Sequence, residues 1–531
     1  MPIKIKNNKM NKFTKNAFLY AIIVAIGSFV FGLDAVLISG GFKFITQEFN
    51  LTASQVGLIG SAPGIGVLIA LPLTAFSANK FGRKLTLQII AIFYIVSAVG
   101  SAFAPSFLSL FWFRFLGGLA FSSVTLASMY IGEIAPAEQR GKLVSTLQIN
   151  MGIGFTAAYL INYWILQKMG SDLQWVQDLN LAETGWRWML GVEIVPAIIW
   201  FLLLFLIPKS PAWLIYKGRI DEAKKSLSKV YPVEKVEVQI QQMLHSVENS
   251  DTNSSSTLSQ LKEIFSSKAR IVLIIAFTLA VVQQFTGMNA VMIYAPTMFE
   301  QLGLGTDAAF SSTIWIGVIG LVATLISLSL IDKFGRRPLV IGGLILIIIS
   351  ISSVSYGFKQ ASYQVTDAAI VKMKDIPNID KLSVIVGKEF NSDIVFKKSL
   401  SDILGVESAR DNSGVIFKET AHINAMLILL SILTFIAAFN FSIGPIMWVL
   451  LSEIFPISNR GVAIPLFALI SSSVSALVQY LFPLEMEIFG AATTFIIYGV
   501  IVLIGLIVLY KYLVETKGLS LEEIQEKLKS S

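Results

Sequence analysis

Long apolar runs alternate with short polar breaks along nearly the whole chain. A helix crosses the hydrocarbon core of a bilayer with roughly 20 apolar residues. Twelve runs meet that requirement, near 17–40, 55–78, 85–105, 107–131, 143–167, 186–207, 271–299, 308–331, 338–358, 421–452, 461–484 and 489–513. They predict an all-α membrane protein with twelve transmembrane helices. The first run is too long to be a removable signal peptide, and it lacks a small-residue cleavage site.

The pattern repeats. NKFGRK at 79–84 returns as DKFGRR at 332–337, and GEIAPAEQRG at 132–141 returns as SEIFPISNRG at 452–461. Both pairs fall at the same end of their helices. The chain therefore divides into a six-helix bundle over 17–207 and a second over 270–513. A charged linker at 208–269 joins them, with amphipathic stretches such as RIDEAKKSLSKVY that predict short helices lying under the bundle. Parallel halves around a site at the membrane midplane are a transporter architecture. The repeat also locates an insertion. Gly82 and Glu133 are 51 residues apart, whereas Gly335 and Glu453 are 118 apart. The excess lies at 359–420, between the ninth and tenth helices and on the outer side. Its mixed charge and weak periodicity predict a small folded cap or a flexible loop, read as loop elaboration in preference to partner docking.

Composition narrows the class. Hydrophobic residues make up 54% of the 531 and charged residues only 14%, against about 25% charged in an ordinary globular chain. The net charge of +7 is unevenly spread. Lys4, Lys6, Lys9, Lys12 and Lys15 crowd the N-terminal tail at 1–16, and Lys80, Arg83, Lys84, Lys333, Arg336 and Arg337 occupy short loops on the same side. This is the positive-inside bias, which puts both tails (1–16 and 514–531) in the cytoplasm. It points to a lipid bilayer, not to nucleic acid, as the partner. The chain has no cysteine, which excludes disulfides and thiolate metal sites. No nucleophile–base pair, metal-ligand cluster or ATP-binding motif stands out, so neither an enzyme nor a cofactor is expected.

Three ionisable residues lie well inside the runs: Asp34, Arg114 and Glu193. A charge at a helix centre costs about 2.5–3.5 kcal/mol on insertion scales, and such residues mark ion or substrate paths. Counted from the outer helix ends, all three are expected at one level, roughly 10 Å below the outer surface. Two carboxylates and one guanidinium meeting there form a titratable switch, because a carboxylate beside Arg stays ionised and one left alone in an apolar site takes a proton. A static ion pair is the plainer alternative, though buried pairs add little net stability.

These features resemble the sugar porter family of the major facilitator superfamily. The resemblance rests on FGLDAVLISG (31–40), the repeated loop motifs, PKSPAWL (208–214), QQFTGMNAVMIYAP (283–296), GPIMWVLLSEIFP (444–456) and VETKGLSLEEI (514–524). It is closest in motif to bacterial xylose and other monosaccharide–proton symporters, and covers nearly the whole chain apart from 359–420. It implies a monomeric inner-membrane carrier importing a monosaccharide with a proton. In it Asp34, Arg114 and Glu193 match proton-coupling positions. Arg83, Glu133, Arg140, Arg336, Glu453 and Arg460 match a cytoplasmic gate network. Phe31, Gln148, Gln283, Gln284, Asn289, Tyr294, Gly444 and Trp448 match sugar-binding positions. Amides suit sugars because they both donate and accept hydrogen bonds. This sequence departs from the family pattern at Phe155 and Gly320, each in place of an amide, and at Ser471 and Ser472, in place of a polar residue and a Trp. Asn79, Lys209 and Ala212 replace Asp, Glu and Arg. The identity of the sugar is left open. The alternatives are a passive sugar or polyol uniporter, a metabolite antiporter and a non-transporting sugar sensor.

Overall fold

The computed structural model describes residues 12–136, 139–252, 257–266 and 269–530. Lys4, Lys6 and Lys9 lie outside them. Twelve helices among the described residues are long and apolar enough to cross a membrane. They are α1 (Lys12–Phe49), α2 (Ala53–Phe81), α3 (Arg83–Ala102), α4 (Phe107–Ile134), α5 (Arg140–Met169), α6 (Leu181–Leu203), α7 (Arg270–Gln301), α8 (Gly305–Phe334), α9 (Arg336–Lys359), α10 (Ala425–Ile454), α11 (Ser458–Ile488) and α12 (Gly490–Tyr512).

Local chemistry explains where these helices turn. In each repeat of the loop motif a single glycine separates two spans: Gly82, with φ +87°, and Gly335, with φ +90°. A side chain would be strained at that φ. It would also have no room. A Cβ on Gly82 would stand 2.9 Å from the Trp213 ring, and one on Gly335 would meet the Glu515 carboxylate. Four spans are interrupted part-way: α4 at Phe121–Ser122, α6 at Val192–Glu193, α7 at Thr286–Gly287 and α10 at Ser442. In α7 the Thr286 hydroxyl donates to the Gln283 carbonyl at 2.8 Å, which satisfies a backbone group freed by the break. Unpaired backbone is costly at membrane depth, so such breaks need local partners of this kind.

The first helix is longer than its apolar run. It begins at Lys12 and continues to Phe49, through the polar residues Lys43, Gln47 and Glu48. The extra turns are held by the inserted segment. Gln47 donates to the Asp411 carbonyl at 3.1 Å, Arg410 donates to the Asn50 side chain at 2.7 Å, and Asn50 donates to Glu407 at 2.5 Å.

The insertion is folded. Strands β1 (Ser362–Gln364), β2 (Glu389–Phe390) and β3 (Ala421–His422) form an antiparallel sheet in the order β2-β1-β3. Short helices, among them Asp393–Leu404 and Ser413–Thr420, pack around Tyr363, Phe390, Phe396 and Phe417. These rings lie 5.2–5.7 Å apart. We call the membrane side bearing this segment the cap face and the opposite side the motif face. On the motif face the linker forms helices Pro211–Tyr216, Ile220–Leu227, Val233–Thr252 and Thr257–Ile264, with an apolar cluster around Trp213, Leu214, Leu227 and Ile240. The C-terminal helix Leu521–Ser530 docks there too, through Gln525 to the Ile454 carbonyl at 2.6 Å.

Candidate functional site

The two halves meet along α1 and α7, α2 and α11, and α5 and α8. Small residues permit the approach: a Cβ on Gly57 would stand 2.3 Å from the Tyr480 carbonyl, and one on Gly317 would stand 2.6 Å from Thr156. Contacts between the halves gather toward the cap face. Lys43 on α1 donates to Glu300 at 2.9 Å and to Thr306 at 2.7 Å. Gln167 donates to Asp307. Tyr159 reaches the Met292 carbonyl at 2.7 Å. Tyr294, on α7, stacks between Phe42 and Phe482 at 5.0 and 5.5 Å, and its hydroxyl donates to the Gln479 carbonyl at 3.1 Å. The molecule is thus closed on the cap face, with Tyr294 in the closing seam.

On the motif face the charges pair within each half. Arg83 binds Glu133 at 2.8 Å, and Arg336 binds Glu453 at 3.0 Å. The second carboxylate oxygen of each Glu accepts a hydroxyl, from Ser210 in one half and from Thr516 (2.6 Å) in the other. The motifs PKSPAWL and VETKGLSLEEI therefore do the same job in the two halves. The symmetry extends one residue further. Lys84 holds the turn that follows α6 at the Phe205 and Ile207 carbonyls, and Arg337 caps α12 at the Tyr510 carbonyl. Arg140 is exposed and enters no ion pair among the described residues, while Arg460 donates to the Phe455 carbonyl at 2.9 Å. None of the six charges bonds across the halves among the described residues. Lys209, at the position where the family pattern has Glu, pairs with exposed Glu222 at 3.1 Å.

Inside the N-terminal half, Asp34 and Arg114 meet. The guanidinium donates to the Asp34 carboxylate and, at 3.1 Å, to the Asp34 backbone carbonyl. Asp34 is fully buried, with Arg114 at 2% and Glu193 at 3% exposure. Glu193 sits at the break in α6 and enters no ion pair among the described residues. One oxygen each of Asp34 and Glu193, and Nε of Arg114, lack hydrogen-bond partners among the described residues. Asp34 and Arg114 share a level, since they are bonded, and Glu193 lies within electrostatic reach of both. Residue counts from the helix ends do not show this. Asp34 lies fifteen residues before the end of α1, Arg114 seven residues into α4, and Glu193 twelve residues into α6. The helix ends are unequal because α1 is carried past the membrane by its contacts with the cap. Gly117 makes room for the carboxylate, since a Cβ there would stand 2.7 Å from Asp34 Oδ2.

In the C-terminal half the amides form a ladder. Gln283 donates to the Gly444 carbonyl at 2.9 Å, Gln284 to Gln283 at 3.0 Å and to Ser471 at 2.9 Å, and Asn289 to Gln284 at 2.9 Å and to Ser475 at 2.8 Å. Gln479 continues it, donating to Ser475 at 2.8 Å. The structure thus joins Gln283, Gln284, Asn289 and Gly444 directly. Phe31, Gln148 and Trp448 are not bonded to the ladder. Phe31 packs edge-on against Phe121 at 4.5 Å and near Phe155 at 6.4 Å. Gln148 is half-buried, and Trp448 is 39% exposed. Ser475, Gln479 and Asn440 went unremarked in the sequence. For Ser475 and Gln479 the signal is polarity recurring every four residues on α11, at 471, 475 and 479; Asn440, on α10, belongs to no such pattern.

A family model described as "Sugar (and other) transporter" matches residues 20–373 and 412–528. The chain belongs to that family. It is a sugar transporter of the major facilitator superfamily, and its family and relatives are transporters, not enzymes. The unmatched internal stretch falls within the cap. The chain is 30% identical to the arabinose-proton symporter of Bacillus subtilis, covering 96% of this chain and 94% of the relative. It is 29% identical to the glucose facilitated diffusion protein of Zymomonas mobilis, covering 96% and 97%. An inward-open structure of the xylose transporter XylE from E. coli superposes with a TM-score of 0.72 at 27% identity, covering 96% and 99%.

Proposed function

We propose that this protein imports a monosaccharide together with a proton by alternating access, with the motif face in the cytoplasm of a bacterial-type inner membrane. The observation that carries the reading is the buried group of two carboxylates and one guanidinium. Removing unbalanced charge from water is expensive. With Arg114 paired to Asp34, neutrality is reached when Glu193 holds a proton. In the outward-facing state Asp34 takes a proton from the outer side, and its hold on Arg114 loosens. Closure of the cap face restores the pair and discharges that proton inward, and Glu193 tunes the balance. The arabinose-proton symporter among the relatives supports proton coupling, and the glucose facilitated diffusion protein supports a passive alternative.

The amide ladder with Gln148, Phe31 and Trp448 supports sugar as the cargo. Asn and Gln match hydroxyls that both donate and accept, and an aromatic face suits the C–H side of a sugar ring. Arg83, Glu133, Arg140, Arg336, Glu453 and Arg460 form the inner gate. Their within-half pairs fit a molecule open on that face, and cross-half pairs would form when it closes. Sugar shifts the cycle only through its differential affinity for the two states.

The test is uptake of labelled pentoses, hexoses and polyols into proteoliposomes under an imposed pH gradient, acid outside. The reading predicts accumulation of at least one sugar above equilibrium, abolished by a protonophore. Uptake that only equilibrates, at a rate indifferent to the gradient, supports the second reading, a passive facilitator.

A further inference from the structure

On the motif face, where α3 begins and α6 ends against the linker, lies a cavity of about 260 Å³. Lys84, Lys209, Lys225 and Lys229 line it, with a single carboxylate, Glu222. Lys84 is half-buried, and its ammonium donates to the Phe205 and Ile207 carbonyls, both at 2.8 Å. An ammonium has three protons to give, so among the described residues one is left over. Lys209 takes Glu222 at 3.1 Å, but the same carboxylate also accepts from Arg219, at 2.6 Å. Lys225 and Lys229 are exposed and enter no ion pair among the described residues. Lys209 and Lys229 lie within electrostatic reach of Lys84. Four ammonium groups thus surround one carboxylate that is itself shared with a guanidinium. Like charges gathered in a cleft repel one another and draw in an anion.

The rim of the cavity says what kind of anion. Phe205 and Leu206 stand there, 56% and 61% exposed. They extend the apolar outer face of α6, where Val195, Ile199 and Leu202 are exposed too. Exposed apolar surface on a membrane-spanning helix is surface for lipid chains. The cavity therefore lies where hydrocarbon gives way to headgroups, with an apolar rim and a cationic floor that match the two ends of a phospholipid. Basic pockets between membrane helices take anionic headgroups in this way. A free anion would use the floor and leave the rim idle. The excess of positive charge belongs to this chain. Glu at 209, as in the family pattern, would leave three ammonium groups against two carboxylates.

We infer that this cavity binds the phosphate of an anionic phospholipid from the leaflet on the motif face, with the lipid chains lying over Phe205 and Leu206. The phosphate would be held from three directions: by Lys84 on α3, by Lys209 in the turn after α6, and by Lys225 and Lys229 in and just beyond the linker helix Ile220–Leu227. It ties the linker to the N-terminal half beside the group formed by Arg83, Glu133 and Ser210. Nothing in the inference depends on the cargo or on proton coupling.

The experiment titrates the purified full-length protein in detergent with dioleoylphosphatidylglycerol or dioleoylphosphatidylcholine, and reads bound lipid by native mass spectrometry. Inorganic phosphate is added as a competitor. Wild type is compared with Lys225→Gln/Lys229→Gln, with Lys209→Glu, and with Lys142→Gln/Lys511→Gln, which removes two exposed lysines elsewhere on the motif face. Thermal midpoints without lipid control for folding. Wild type should prefer phosphatidylglycerol to phosphatidylcholine. The Lys225/Lys229 variant should bind phosphatidylglycerol roughly tenfold to thirtyfold more weakly, the worth of two lysines at a membrane surface. Lys209→Glu, which also changes the charge by two, should lose about as much. The Lys142/Lys511 variant should match wild type. If Lys209→Glu does not fold, the Lys225/Lys229 variant decides alone, since those side chains have no partner to lose. Equal binding of the two lipids, an unchanged affinity in the Lys225/Lys229 variant, or an equal loss in the Lys142/Lys511 variant would overturn the inference. Displacement of the lipid by inorganic phosphate would mark a free-anion site and overturn the lipid assignment too.

Discussion

At the residue scale, the assignments depend on which polar atoms have partners and which do not. Glu515 is a clear case. Its carboxylate accepts the backbone N–H groups of Arg336 and Arg337, both at 3.0 Å, at the start of α9, and those of Thr516 and Lys517 in its own tail. Burial works to raise its pKa, but the four backbone donors outweigh it and hold the carboxyl below its ordinary value. The stabilisation is fully present above the unfolded carboxyl value of about 4.3 and is lost as pH falls through the lower folded value. Glu515→Ala should lower stability by about 1–2 kcal/mol at neutral pH, as loss of a helix cap does. The thermal midpoints of variant and wild type should converge at strongly acid pH; a gap that persists there would contradict the cap. The sequence displayed Glu515 within a recognisable tail motif, but not its partner, which lies nearly the whole C-terminal half away. Asp34, Arg114 and Glu193 were legible for the opposite reason, since a charge within an apolar run is conspicuous wherever its partner lies. The serines of α11 were not, because a hydroxyl at mid-span is unremarkable until the amide it meets is known.

At the scale of elements, the spans were legible through hydrophobic length, and the insertion through the unequal spacing of a repeated motif. Its fold was not, because Tyr363, Phe390, Phe396 and Phe417 converge from positions with no common period. Nor was the true end of α1, where Lys43, Gln47 and Glu48 read as the end of a span although the helix continues beneath the cap. The cap consequently bridges the halves. It is rooted between α9 and α10 and holds α1 through Arg410, Glu407 and the Asp411 carbonyl. Those bonds must part whenever the cap face opens. Arg410→Ala should therefore weaken closure by up to about 1 kcal/mol, the scale of an exposed polar pair. The natural absence of cysteine makes this measurable. A cysteine placed at Ser61, buried on α2, should react up to severalfold faster with a membrane-impermeant maleimide from the cap side in the Arg410→Ala background. An unchanged rate would mean that the cap merely rests on α1.

At the scale of the molecule, the internal repeat makes two halves legible in the sequence itself, and the matching carboxylate–arginine–hydroxyl groups around Glu133 and Glu453 give that repeat a chemical content. What the sequence could not convey is which state of the cycle is populated, since one sequence encodes every state. The structure is closed on the cap face through Lys43, Tyr159, Gln167 and Tyr294, with the motif-face ion pairs kept within their own halves. The proposed cycle couples that geometry to a proton through Asp34. The most direct test compares wild type with Asp34→Asn in proteoliposomes, using a sugar that wild type transports, in two assays: counterflow, which needs only exchange by loaded carrier, and uphill uptake driven by a pH gradient. The account predicts that Asp34→Asn retains counterflow and loses pH-driven accumulation. Full accumulation by Asp34→Asn would show that Asp34 serves only as half of a structural ion pair.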